Sequence, residues 1–343
     1  MSIREDVFGL ETVYRLQVEG QWTVKSNVWL SPSPFYASWD YGYFGGGGPT
    51  SSTVSRIDYS NDTATASVRG PLTSARYGLA ATGNSSYGYF GGGNPGYLSR
   101  VDRIDYGNDT TTASPKGPLS AGRTYLAATG NSSYGYFGGG TRPGSSPPIV
   151  SRIDYSNDTA TASPKGSLSV SRYYFGATGN SSYGYFGGVA PGAGVSTVDR
   201  IDYSNDTATA SPKGPLTSVR YYITATGNSS YGYFGGGFPP PRTTVDRIDY
   251  SNDTATASPK GPLSSARYNL AATGNSSYGW FGGGNPTTAV VDRIDYSNDT
   301  ATASPRGPLS LARTLLAATG NSCLLYTSPS PRDLSTSRMP SSA

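Results

Sequence analysis

The feature that most constrains this 343-residue chain is a tandem repeat with a period in the upper forties. The Phe of a Tyr-Gly-Tyr-Phe-Gly-Gly string recurs at Phe44, Phe90, Phe137, Phe186, Phe234 and Phe281, the last copy carrying Trp280 for the second Tyr. The Ile of Arg-Ile-Asp-Tyr keeps step at Ile57, Ile104, Ile153, Ile201, Ile248 and Ile294. A unit of this length suits a four-stranded propeller blade, which buries its faces only by stacking on its neighbours. Helical solenoids of similar period are disfavoured, because the units are rich in Gly, Thr, Tyr and Ser and poor in helix formers.

Glycine is abundant but sits at fixed offsets beside Tyr and Phe, without a Gly-X-Y period, which points to short strands and tight turns rather than a collagenous or disordered chain. In one unit, 220–226 is a predicted first strand and 227–230 a turn. Residues 231–235 form the second strand and 245–250 the third. The turn at 251–254 follows, because Asn and Asp bond their own backbone and tolerate left-handed angles. A short fourth strand is predicted at 255–258, and Pro259-Lys-Gly-Pro-Leu leads to the next Arg, Arg267. Aromatic residues on the second strand supply apolar area between blades, interleaved glycines allow close backbone approach, and the repeating Arg247 and Asp249 are candidates for pairing between blades.

These residues resemble the kelch repeat: an aromatic strand ending in Gly-Gly, a strand ending in Asp-Tyr, a turn, a short fourth strand, and a Pro-containing loop leading to an Arg. The resemblance covers Tyr41 to Ser322. It implies an all-β fold, a β-propeller of four-stranded kelch-like blades. The repeat begins at its second strand, at Tyr41, and breaks off after a first strand, 313–319. Those ends give six blades if the last strand closes the ring, or a fragment of a larger ring if more blades follow. One departure is that kelch blades carry a Trp at the fourth strand, where this chain has Ala-Thr-Ala. Extra Tyr on the second strand is the expected compensation.

Residues 1–40 do not match the repeat; Val7-Phe8, Val13-Tyr14, Trp22 and Trp29 suggest a short folded or docking segment. From Cys323 the chain reads Cys-Leu-Leu-Tyr-Thr-Ser-Pro-Ser-Pro-Arg-Asp and ends Ser-Arg-Met-Pro-Ser-Ser-Ala. Both strings resemble translated sequencing-library adaptor DNA, so 323–343 is expected to be a read-through artefact and is set aside from the fold. On that reading the natural protein continues past Ser322, and its source is an environmental assembly.

Histidine is absent, and Cys323 is the only cysteine. The repeats therefore offer no His or Cys metal site, no Cys or His nucleophile–base pair and no disulfide framework. Galactose-oxidase-type copper chemistry, found among kelch-like propellers, needs His and a Tyr–Cys crosslink and cannot be assembled here. The Ser60-Asn61-Asp62-Thr63-Ala64 turn resembles half of the sialidase-type turn motif but lacks its Gly and Trp. Glutamate occurs only at Glu5, Glu11 and Glu19, so paired carboxylates for glycoside hydrolysis would have to come from Asp residues that recur from blade to blade as scaffold residues do. Asp58, Asn61 and Asp62 lack the alternating spacing of a calcium loop and read as turn caps. The Asn-Asp-Thr and Asn-Ser-Ser triplets match the glycosylation sequon but read the same way. No cofactor is expected. A net charge of +4 is too small and dispersed for nucleic acid. No apolar run is long enough to span a bilayer, and the first residues lack the apolar stretch of a secretory signal.

The loop after the glycine cluster is where the copies differ: 48–51, 94–98, 141–144, 190–193, 238–242 and 285–288 vary in sequence and length. Variation confined to one loop set on one face reads as a presented binding surface. Tyr97, Phe238, Arg142 and Arg242 are the leading candidates for ligand contact, because aromatic and Arg side chains are favoured at binding hot spots. Asn94 and Asn285, which open two of these loops, join them. The expected function is a non-enzymatic recognition module for a glycan or protein ligand. The near-identical copies and the lack of a leader point toward a phage virion component such as a tail fibre. The alternatives are a purely structural repeat scaffold and, behind it, a propeller glycosidase.

Overall fold

In the structure, a computed structural model, residues 40–188 and 196–321 are described. The non-repeat segment 1–39, the variable loop at 190–193 and the tail at 323–343 lie outside the described residues. Six four-stranded antiparallel sheets follow one another around a common axis, an all-β propeller of six blades. In a representative blade the inner strand is Thr224–Gly227, the second Tyr231–Gly235, the third Val245–Asp249 and the outer strand Ser258–Lys260. The inner strands of successive blades adjoin one another all the way round. Ala317–Gly320 is the inner strand of the blade whose second strand is Tyr41–Gly45, with Gly320 opposite Gly42 and Ala317 opposite Gly45. The two ends of the repeat array thus share one sheet, and the ring closes at six.

Both faces of each blade are buried, which explains the second-strand sequence. Tyr233 and Phe234 are inaccessible to solvent, and Tyr233 stacks on Tyr296 of the next blade at 4.7 Å. The same stack occurs at all six interfaces, the last being Trp280 on Tyr59 at 3.8 Å. Such stacks add about 0.5–1.5 kcal/mol each beyond area burial. The intervening glycine is required: a Cβ on Gly232 would lie 2.6 Å from Thr178 Cγ2 and 2.8 Å from the Tyr250 hydroxyl.

The predicted first and fourth strands are displaced. The inner strand begins at Thr224, not at Arg220, whose guanidinium turns into the blade. The outer strand is 258–260 rather than 255–258. Its middle residue, Pro259, lies opposite Asp246 on the sheet edge, where a missing N–H costs no ladder bond. Ala257 is instead 5 % exposed and packs with Tyr185, Phe234 and Tyr250. The small side chain leaves room for the aromatic stack, consistent with compensation by the second-strand Tyr.

Pairing between blades is real for Arg247 but with a different carboxylate. Arg247 Nη1 meets Asp299, in the turn of the next blade, at 2.7 Å. The same carboxylate accepts from the Tyr233 hydroxyl at 2.9 Å and pairs with Lys260 Nζ at 3.2 Å. Asp249 is an N-cap: its side chain accepts from the Ser251 N–H and opens the 3-10 turn Tyr250–Asn252, which removes Tyr250 from the third strand. The Asn-Ser-Ser turn is built in the same way, Asn228 Oδ1 accepting from the N–H groups of Ser230 and Tyr231.

Candidate ligand-binding face

Each inner strand is preceded by a lead-in segment that starts at a buried arginine: Arg76, Arg123, Arg172, Arg220, Arg267 and Arg313, all at most 2 % exposed. Arg220 shows what the side chain does. Nη1 donates to the carbonyls of Gly236 and Thr244 at 2.8 and 2.9 Å, while Nη2 donates to the Phe234 carbonyl and to Asp246. Gly236 and Thr244 flank the variable loop at 238–242, so one guanidinium ties both of its stems to the blade. The loop tip can then change without disturbing the sheets below it.

Four of these arginines meet a buried aspartate, Asp102, Asp199, Asp246 or Asp292. In the other two blades the position is serine: Arg123 donates to Ser151 Oγ and Arg313 to Ser55 Oγ. Burial presses Arg123 down to about 10, helped by the nearby charge of Arg142, and burial alone presses Arg313 down to about 10. Charged side chains buried without a counter-ion lose solvation, which disfavours their charged form.

The residue after the arginine forms an antiparallel bridge with the first residue of the variable loop: Tyr77 with Asn94, Thr124 with Thr141, Tyr221 with Phe238, and Tyr268 with Asn285. Lead-in segments and variable loops therefore share one face. One residue further on, the backbone adopts left-handed angles in all six blades, φ running from 55° to 65° at Gly78, Tyr125, Tyr174, Tyr222, Asn269 and Leu315. Around the axis each of these residues donates its N–H to the carbonyl of the one before it, and Gly78 donates to Leu315 to complete the circle, at 2.5–3.0 Å. The ring rims a mouth of about 60 Å³, above an axial cavity of about 100 Å³ lined by the residues that lead into and open the six inner strands, such as Leu79, Ala80 and Ala81.

Over this ring lies a patch of aromatic side chains. Tyr174 is 4.0 Å from Tyr125 and 4.1 Å from Tyr222, centroid to centroid, with the rings tilted by 39° and 51°. Phe238 extends the patch, 5.2 Å from Tyr268, which is itself 5.5 Å from Tyr222. Burial, followed by the hydroxyls of Tyr125 and Tyr222, pushes the Tyr174 phenol far above the ordinary range, so it stays neutral. The three tyrosines are half-buried and present part of their surface to solvent.

Of the six sequence candidates, the structure brings Phe238 and Asn285 into this patch; Asn285 Nδ2 donates to the Tyr268 hydroxyl. Asn94 braces its own loop, its Oδ1 accepting from the Tyr97 N–H at 3.2 Å. Tyr97 is exposed at the tip of that loop. Arg142 is exposed and bonds Ser145 Oγ within its loop at 3.0 Å. Arg242 is half-buried and leans on the Pro239 carbonyl. Variation is not confined to the second-to-third-strand loops. The second residue after the arginine reads Gly, Tyr, Tyr, Tyr, Asn and Leu around the ring, a run masked in the sequence because the predicted first strand spans it.

No protein-family model matches the chain, and no curated protein matches its sequence. Solved structures do. The structure of YjhT superposes with a TM-score of 0.60 at 10 % identity, covering 72 % of this chain and 88 % of YjhT. It is one of 477 solved chains with significant similarity. At that identity, the likeness establishes the propeller fold alone.

Proposed function

We propose that this propeller is a non-enzymatic, kelch-like recognition module whose face of varied second-to-third-strand loops and lead-in segments binds a glycan or protein ligand. The observation that carries the reading is that nearly all the variation among the described loops converges on one face, with stems held by buried arginines. The opposite turns, equally close to solvent, are copied from blade to blade except at Gly107 and Thr111. Tyr97, Arg142, Phe238 and Arg242 supply aromatic and cationic contacts there, with Asn94 and Asn285 shaping the loops that carry them. The engagement of aspartates in the scaffold supports a binding role over hydrolysis: Asp58-type residues cap turns, Asp62-type residues bind cations between blades, and Asp102-type residues hold the buried arginines. A phage tail-fibre or receptor-binding setting is the biological context in which near-identical blades with a varied face make sense.

The test is a screen of the full chain against a glycan array and against candidate host-surface proteins. It is repeated on a variant in which every varied loop carries the sequence of a single blade. The ligand should be lost with the loops. Retention of all binding by the uniform-loop variant would sink the proposal, and turnover of any glycan by pure protein would sink its non-enzymatic part.

A further inference from the structure

We propose that the axial cluster of Tyr125, Tyr174 and Tyr222 is the seat of an uncharged pyranose ring, the primary sugar site of the loop face. The inference rests on the recognition function proposed above and assigns it a place and a ligand class.

The first argument is backbone conformation. Five of the six ring positions hold side-chain-bearing residues at left-handed angles, which cost roughly 1 kcal/mol each for an L-residue. Gly78 sits in the same ring with the same angles and hydrogen bonds, so the fold accepts the residue type that avoids this cost. Strained positions that hold side chains the scaffold does not need point to a role outside the scaffold.

The second argument is asymmetry. A six-fold ring built only to close the channel would repeat one residue. Here three consecutive blades contribute tyrosine, while the other three contribute Asn269, Leu315 and Gly78. The ring tyrosines therefore lie to one side of the axis, and Tyr77 and Tyr268 of the two flanking blades, with Phe238, continue the aromatic patch outward. Such a surface suits one asymmetric ligand on the axis better than a symmetric assembly.

The third argument is chemistry. Among the described residues no charged side chain lines the mouth, and its polar residues are Tyr125, Tyr174, Tyr222 and Asn269. Phenol faces carry negative quadrupole charge, which attracts the polarised C–H bonds on the flat face of a pyranose, while hydroxyls at its edge find hydrogen-bonding partners. A carboxylated or sulfated sugar would find no cation in this lining. At about 60 Å³ the mouth is too small to enclose a pyranose, so a ring would lie across the tyrosines rather than sink into the channel.

The test compares the full-length wild-type chain with Tyr174→Gly, Tyr174→Phe and the uniform-loop variant. The probe is an array of neutral hexose and N-acetylhexosamine glycans beside sialylated and sulfated ones. Tyr174→Gly reproduces the residue type of Gly78, so it removes the ring while keeping the backbone, and an unchanged thermal midpoint confirms the fold. The expected result is binding of neutral glycans that weakens roughly tenfold or more in Tyr174→Gly and is largely kept in Tyr174→Phe. Neutral-glycan binding unchanged in Tyr174→Gly but lost in the uniform-loop variant would overturn this site and leave the recognition function standing, as would binding of acidic glycans only. Absence of any glycan binding, with a protein ligand captured instead, would overturn the sugar assignment alone. Absence of every ligand would overturn both readings.

Discussion

Arg313 donates its Nη2 to the hydroxyl of Ser55 at 2.6 Å, at the position where Arg220 meets the carboxylate of Asp246 at 2.9 Å. The rest of the aspartate's surroundings is already present. Ser55 Oγ bonds Ser310, as Asp246 bonds Thr217 through both hydroxyl and N–H, and Ser151 has Ser120 in the same role. Placing a carboxylate there gives each buried guanidinium its counter-ion. Ser55→Asp and Ser151→Asp should each stabilise the fold at neutral pH by about 1–2 kcal/mol, read as a higher denaturant midpoint with an unchanged slope. No gain in either variant would mean that the surrounding carbonyls already satisfy the arginine.

The carboxylates that bridge blades predict acid sensitivity. Burial alone would raise Asp206, but Tyr136, Lys165 and Arg152 outweigh it and hold its carboxyl below the ordinary range. Asp158 is lowered in the same manner by Tyr89, Arg103 and Lys116. A folded value below the unfolded one contributes stability above the unfolded pKa of about 4, and that contribution is lost as pH falls through the folded value. Unfolding free energy should therefore decline below about pH 4–5. Asp206→Asn should cost about 2 kcal/mol at pH 7, less than a fully buried pair because Arg152 keeps solvent access. It should also flatten the acid limb of a stability–pH titration.

Trp280 tests whether the aromatic position is a site of stacking or of a particular residue. Its indole N–H donates to Asp62 at 2.9 Å, the bond that Tyr233 makes to Asp299 through its hydroxyl. Trp280→Tyr should stay within about 1.5 kcal/mol of wild type. Trp280→Ala should lose about 3–5 kcal/mol, because it removes both the stack on Tyr59 and the donor to Asp62. Equal losses in thermal unfolding of the two variants would contradict the interchangeability of the six interfaces.

Five of the six outer strands carry proline in the middle, at Pro115, Pro164, Pro212, Pro259 and Pro305, whereas the first carries Val68. Val68 is 64 % exposed and lies opposite Ser55 in the register that pairs Pro259 with Asp246. Its N–H thus points off the sheet. Val68→Pro should be accepted and should stabilise by about 0.4–1 kcal/mol through the unfolded chain, while removing a free edge donor that invites strand pairing. Chemical denaturation checks the first effect, and light scattering at high concentration checks the second.

The fold was legible because its period and strand signals are written six times over: Tyr231–Gly235 matches its predicted bounds, and the third strand misses by the single residue Tyr250. The inner and outer strands were misplaced by tertiary interactions that local pattern does not carry. Arg220 leaves the strand to tie two loop stems far away in sequence, and Pro259 enters a strand because an edge needs no donor there. The variable loops were readable as variation, and Phe238 and Asn285 do reach the aromatic patch. Tyr125, Tyr174 and Tyr222 were not picked out, because their meeting depends on ring closure between residues about one repeat apart.

The circle of hydrogen bonds at the channel mouth has a property that helices and strands lack: it has no terminus. Every linear hydrogen-bonded ladder leaves unmatched groups at its two ends, whereas six donors and six acceptors in a closed cycle leave none. The peptide dipoles run tangentially and cancel around the cycle, so the mouth presents no helix-like pole to an approaching charge. Membership is also integral. Another copy of the repeat could join only by breaking one link and changing the angle at all the others, so the cycle counts its own blades.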